Sequence, residues 1–309
     1  MLDSYKKILV TGGAGFVGSH VCDELLRLKK DIVVVDDLST GKAENLPSSV
    51  EIARIDIASG DLAPVMKGID LVFHVAAQPS TRRSVEDPLR DMRSNALGTL
   101  RVLLAARDAG VKKVVYTSTS AIYGEPQDLP MSEDQSPAPS SPYAASKLTG
   151  EHYCYVLHQL RGLAYTCLRP FNVYGTRENL EVSLDEVARY TLAAIQDREI
   201  TVNGDGNQSR DFVHARDVAR AHVLVADEDH ALGRTFNVGT GTETTINSLL
   251  KTIQEVTGRQ PRVQHQPWPK GDIYREYASI RLAGEVLGYS PQEDLRAGLK
   301  ELADAFGRS

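Results

Sequence analysis

The chain has 309 residues, 41% hydrophobic and 25% charged, which is enough apolar material for a large core and argues against pervasive disorder. A formal charge of −6 with no stretch that concentrates Lys and Arg argues against nucleic acid or an anionic membrane as a partner. Three cysteines, Cys22, Cys154 and Cys167, lack CxxC spacing, so neither a disulfide framework nor a zinc site is expected, and no apolar run is long enough to span a bilayer. The opening MLDSYKKILV is polar and then enters a strand, without the apolar run of a signal peptide; a cytoplasmic location is expected.

In chain order, KKILVTG reads as the first strand. Ser19 to Lys30 reads as an amphipathic helix with Val21, Leu25, Leu26 and Leu28 apolar, and DIVVVDD as a buried second strand ending in acids. VEIARID, DLVFHVAA and KKVVYTSTS continue the strands, with a helix from about Leu89 to Ala109 between the last two, stopped by Gly110. This alternation predicts an α/β fold: a Rossmann, doubly wound parallel sheet with helices on both faces. The Pro- and Ser-rich segment Glu125 to Pro142 reads as an ordered surface loop or a mobile flap, leading into a helix that carries Tyr143 and Lys147. YTCLRP is a further strand, after which helices and short strands mix without βαβ order. The expected division is a dinucleotide-binding domain over 1–170, with a returning segment 211–239, and a smaller mixed α/β substrate lobe over 171–210 and 240–309.

TGGAGFVGSH sits directly after a strand and before a helix, the context in which a glycine turn cradles a pyrophosphate. Gly12 and Gly15 allow the tight turn and close backbone approach, and Gly18 lets the helix pack on the sheet. Asp36, 18 residues after Gly18 at the end of the second strand, can accept from a ribose 2′-hydroxyl and repel a 2′-phosphate, favouring NAD over NADP. Asp56 closes the third strand, where an adenine contact and a turn role are both open. In SPYAASK, a helix places Tyr143 and Lys147 on one face, and a nearby ammonium lowers a tyrosine toward the range of a usable general base.

The ordered set TGGAGFVG, DDLSTG, HVAAQ, TSTSAIYG, YxxxK, LRPFNVYG and GDGNQSRDFVH resembles the extended short-chain dehydrogenases/reductases of the nucleotide-sugar epimerase and dehydratase class, over nearly the whole chain. Within that class it looks most like UDP-glucose 4-epimerase-type members. The resemblance implies tightly held NAD, a UDP-sugar as the substrate class, and a homodimer built on the helices from about Leu89 and from Tyr143. It also implies Tyr143 as base, Lys147 as its ammonium partner and Thr119 as the hydroxyl that binds the reacting group. By the same resemblance, cofactor contacts come from Gly12, Gly15, Phe16 and Val17, from Asp36, Asp56 and Ile57, and from Ala76 and Ala77. Tyr143 and Lys147 also belong to that set, with Asn95 ordering the backbone nearby. Substrate contacts come from Ser80, Thr119, Ser120, Asn172 and Arg210, with Arg275 as a second cation for the diphosphate.

Ser120 and Ala121 stand where dehydratases of the class carry Asp and Glu, and neither does acid/base work near pH 7, so epimerisation through a 4-keto sugar is favoured over dehydration. UDP-glucose and UDP-galactose, or their N-acetyl or uronic acid counterparts, are the expected substrates, with decarboxylation of a UDP-uronic acid, oxidation or reduction, and a non-catalytic dinucleotide sensor as the alternatives. Departures fall in the substrate lobe: Asn203 where relatives place a stacking aromatic, Pro269 in place of a second arginine, and Asp185 and Glu186 entering the nucleotide region. His74 reads as a satisfied core histidine. His214 and His222 have no third ligand in view, so metal is not expected.

Overall fold

The computed structural model describes residues 2–182, 186–269 and 272–307; Asp185 lies outside the described residues. The first half runs β1 (Lys7–Thr11), α1 (Phe16–Arg27), β2 (Asp31–Asp36), β3 (Glu51–Arg54), α2 (Ala63–Met66), β4 (Leu71–His74), α3 (Thr81–Glu86) and α4 (Pro88–Met92). A π-helical turn, Arg93–Leu97, joins α4 to α5 (Gly98–Asp108), followed by β5 (Lys113–Thr117), α6 (Pro142–Arg161) and β6 (Tyr165–Pro170). The second half contains β7 (Asn172–Tyr174), α7 (Glu186–Ile195), β8 (Glu199–Asn203), β9 (Ser209–Arg210), β10 (Phe212–His214), α8 (Ala215–Asp227) and β11 (Thr235–Val238). It closes with β12 (Thr244–Thr245), α9 (Ile246–Thr257), β13 (Arg262–Gln266), α10 (Arg281–Leu287) and α11 (Leu295–Gly307). Among the described residues no helix is long and apolar enough to cross a membrane.

Seven described strands form one parallel sheet in the order β11-β6-β5-β4-β1-β2-β3. Successive side chains of a strand feed opposite faces. Ile8 and Val10 pack on one side with Val34, Phe73, Leu25 and Val218, whereas Leu9 packs on the other with Val35, Val72, Val102 and Leu157. Both faces are covered, which explains why β4 and β5 are buried throughout and read as apolar runs. The chain leaves β1 toward β2 on one side and returns as β4 on the other, a reversal that opens a crevice at the carboxyl ends of the strands. A separate core of Val187, Ile200, Val202, Ile246, Leu249 and Leu299 builds the second lobe, where β8 pairs with β13.

Helix α1 begins at Phe16, earlier than the sequence pattern suggests, because the turn ends in extended backbone at Gly15 (φ −78°, ψ −176°) and the helix starts at once. The helix expected from Leu89 is instead α4, the π turn and α5 in succession, opened by Pro88 behind an Asp87 cap. Met131 is fully buried, its N–H donates to the Tyr277 carbonyl at 2.9 Å, and its own carbonyl accepts from Ser279 N–H at 2.8 Å.

Candidate active site

The carboxyl ends of β1, β2, β4, β5 and β6 open onto a cleft of about 1260 Å³. That exceeds the roughly 300–1,000 Å³ of a typical single-ligand pocket and leaves room for two.

At one end lies the glycine turn. Gly12 has φ +70°, and a Cβ there would fall 2.6 Å from the Ala76 amide nitrogen; at Gly18 it would meet the Gly12 carbonyl oxygen at 2.0 Å. Both positions therefore exclude a side chain. The N-cap of α1, Gly15, offers no side-chain acceptor, so first-turn N–H groups at Phe16 and Val17 are left for a ligand, as an anion would require. Asp36 is buried at the cleft edge and ties the turn to β2, accepting from Ala14 N–H at 3.0 Å and Leu38 N–H at 2.9 Å. Burial pushes its carboxyl up, and these two bonds pull it down. Asp56 accepts from Ala58 N–H and the Ser59 hydroxyl at 2.8 and 2.7 Å, so it builds a turn while lining the cleft beside Ile57. Ala76 and Ala77 line the opposite wall. This end, with backbone donors beside two acids, Asp36 and Asp37, fits a dinucleotide without a 2′-phosphate.

Tyr143 and Lys147 project from the first turns of α6, which Pro142 opens and the Ser141 hydroxyl caps by accepting from Ala144 N–H at 3.1 Å. Both line the cleft together with Thr119 and Ser120. Thr119 caps a short turn by accepting from Ala121 N–H at 3.2 Å, and the Ser118 hydroxyl beside it is buried without a hydrogen-bond partner among the described residues. The expected lowering of Tyr143 is not found. Burial pushes its phenol up to about 12, offset in part by a hydrogen bond from Thr119, while the charge of Asp91 adds to the rise. Lys147 packs its ammonium over the Tyr116 ring, 4.5 Å from its centroid. Burial draws that ammonium down to about 8, opposed first by the charges of Glu151 and Asp91. Tyr123 of the YG pair stands away from the chemistry: it donates to Asn237 Oδ1 at 2.7 Å and accepts from Arg169 at 2.8 Å.

At the far end, Asn172 and Arg210 reach the cleft from β7 and β9 and converge on Glu276. Asn172 donates to Glu276 Oε1 at 2.8 Å, and Arg210 Nε lies 3.5 Å from the same oxygen. Arg275 does not line the cleft. It is exposed and pairs bidentately with Glu243 at 2.6 and 2.7 Å, because neighbours on the extended segment point to opposite sides and Glu276 takes the inward one. Asn203 uses its amide oxygen to accept from Gln266, and Trp268 stacks edge-on against Tyr274 with ring centroids 5.4 Å apart. Ser80 lines the cleft and caps α3. Asn95 stands behind the wall, accepting from Gln78 N–H at 2.8 Å and donating to its carbonyl at 3.0 Å. His74 bonds Thr11 and Thr99 at 2.7 and 2.9 Å as a core residue. His214 caps α8, whereas His222 binds Thr117 at 2.7 Å within it.

Sequence reasoning missed Asp91 and Gln78, which brace the Asn95 wall, and Arg83 and Glu178 of the lining. Asp91 and Asn95 are four apart on a helical pattern, a signal that was readable.

Comparison with known proteins agrees with this geometry. The model of the "NAD dependent epimerase/dehydratase family" matches residues 8–239. A UDP-glucose 4-epimerase of Mycolicibacterium smegmatis is 39% identical over 308 residues, covering 97% of this chain and 98% of that one. A crystal structure of UDP-glucose 4-epimerase with UDP-glucose from Thermotoga maritima is 38% identical with a TM-score of 0.91, covering 98% and 99%. The Thermus thermophilus UDP-glucose 4-epimerase in complex with NAD is also 38% identical, with a TM-score of 0.90 over 97% and 99%. The chain belongs to the NAD-dependent epimerase/dehydratase family.

Proposed function

We propose that the protein is an NAD-dependent nucleotide-sugar 4-epimerase acting through a transient 4-keto sugar, with UDP-glucose and UDP-galactose as the simplest substrate pair. The observation that carries this reading is the grouping of Thr119, Tyr143 and Lys147 on one cleft wall, next to Ser120 and Ala121 in place of acids that could expel water. The glycine turn, Asp36, Asp56, Ile57, Ala76 and Ala77 would hold NAD, with residues 1–170 and 211–239 as its domain and the remaining lobe for the nucleotide sugar. When bound, NAD supplies a redox partner that takes up and returns hydride at the sugar carbon.

The chain's own residues handle the proton and the geometry. Tyr143 accepts the proton of the sugar C4 hydroxyl, and Thr119 holds that hydroxyl and the phenol in line. Lys147 supplies positive charge beneath the site, which favours the phenolate over the phenol. The proton returns from Tyr143 to the same oxygen after the sugar has turned, so one group serves both directions. Arg210, with its fork of donors, anchors the diphosphate during that turn, and Asn172 steadies the sugar side. Glu276, a buried carboxylate between them, weighs against a uronic acid as the sugar.

A homodimer is part of the proposal. Leu89, Met92, Tyr155, Val156 and Leu160 are large apolar side chains left exposed on the packed helices α4 and α6, a patch of the kind that marks a protein interface. Three buried free cysteines suit a reducing cytoplasm. Replacing Tyr143 with Phe tests the base: turnover should vanish while the melting temperature stays near the parent's, and retained turnover refutes the assignment.

A further inference from the structure

Behind the cleft wall, α4 and α6 meet around one buried carboxylate. Asp91 is 1% exposed, and three side-chain donors converge on it. The Ser146 hydroxyl donates to Oδ2 at 2.6 Å, and the amides of Asn95 and Gln78 each donate to Oδ1 at 3.0 Å. Backbone groups fix the orientation of both amides. Asn95 Oδ1 accepts from Gln78 N–H at 2.8 Å and Gln78 Oε1 from Ser80 N–H at 2.7 Å, so both NH₂ groups must face Asp91. Burial pushes the Asp91 carboxyl up, and the Ser146 and Gln78 bonds and the charge of Lys147 oppose that rise, so the three donors suit the ionised form.

That charge has a counterpart. Lys147, 2% exposed, follows Ser146 directly in α6. The groups acting on its ammonium are Glu151 and Cys154 from α6, Asp91 from α4, Cys167 from β6, Tyr116 from β5 and His74 from β4. Glu151 and Asp91 are the two carboxylates among them. Glu151 is already shared with Arg169, in a bidentate pair at 3.0 and 2.7 Å. Asp91 has no arginine partner among the described residues, and the cation that acts on it is Lys147; its charge acts on Tyr143 in the opposite sense, so its support of proton transfer runs through Lys147. A buried ammonium without a counter-charge gives up its proton readily.

We propose that Asp91 is a positioning residue for proton transfer at Tyr143: its carboxylate is the counter-charge that keeps Lys147 an ammonium, and the anchor that fixes α6 to the loop after β4 through Ser146, Asn95 and Gln78. The inference rests on Tyr143 and Lys147 being the reacting pair.

The test is the pH profile of kcat for the full-length enzyme with UDP-glucose or UDP-galactose. Asp91→Asn should move the alkaline limb down by roughly one pH unit or more, the scale of a lost opposite charge at close range, with KM within about twofold. Asp91→Glu, which keeps the charge, should restore the limb. Ser146→Ala keeps the charge and removes the link to α6, so kcat should fall about tenfold with the limb in place. An unmoved limb in a folded Asp91→Asn enzyme overturns the proposal. Should that variant not fold, a Ser146→Ala enzyme with parental kcat overturns it instead. Tyr143→Phe separates the two levels: turnover by that variant removes the underlying reading, whereas its inactivity beside an unaltered Asp91→Asn profile removes the role of Asp91 alone.

Discussion

The carboxylate of Glu276 lies 3.5 Å from Nε of Arg210, and both side chains are buried at the wall of the cleft. The cation proposed to anchor the diphosphate therefore already has an internal anion. A substrate phosphate must share or displace that contact.

Glu276→Gln keeps the shape and the acceptor for Asn172 but removes the competing charge. KM for the nucleotide sugar should fall severalfold, with kcat changed by less than about twofold, since ground state and transition state gain alike. A raised KM would show that the carboxylate itself binds the sugar.

Turnover should fall as pH rises through about 8. Burial lowers the Lys147 ammonium to about 8, so the cation is present below that value and lost above it. Because the positive charge supports the Tyr143 phenolate, the rate declines on the alkaline side even though the phenol itself is pushed up to about 12. A profile flat to pH 10 or so would contradict this role of Lys147.

Asp36→Asn should relax the preference for NAD over NADP by about tenfold or more, because a neutral amide no longer repels a 2′-phosphate. An amide has one oxygen where the carboxylate uses two, so Ala14 or Leu38 N–H loses its acceptor. Stability should drop by about 1–3 kcal/mol. Competition binding and urea unfolding measure the two effects, and an unchanged preference contradicts the assigned role.

Leu160→Glu, at a site 72% exposed on α6, should leave a folded monomer in sedimentation velocity where the parent sediments as a dimer. A parent that is monomeric at working concentration, or a variant that stays dimeric, contradicts the proposed interface.

The parallel sheet was legible because its strands are buried on both faces and the glycine turn sits at a strand-to-helix junction. Tyr143 and Lys147 were placed on one helix face by their spacing and Thr119 by the family resemblance, and all three line the same cleft. Motif proximity does not tell which side of an extended segment faces the cleft, and alternation places Glu276 rather than Arg275 in its lining. The Tyr143 environment was also beyond the sequence. Helical spacing set it beside Lys147, but the ammonium's seat over Tyr116 depends on β5, distant in the chain. Asp91 depends likewise on α6 packing against α4, with partners 13 and 55 residues away.

The most direct test is incubation of the purified protein, without added cofactor, with UDP-glucose, UDP-galactose, their N-acetyl forms, UDP-glucuronate and several non-uridine sugar nucleotides, read by chromatography and mass spectrometry. The account predicts a new product of equal mass from a UDP-hexose or UDP-N-acetylhexosamine, formed in both directions. Loss of carbon dioxide or of water, or no conversion across the panel even with NAD added, would contradict it.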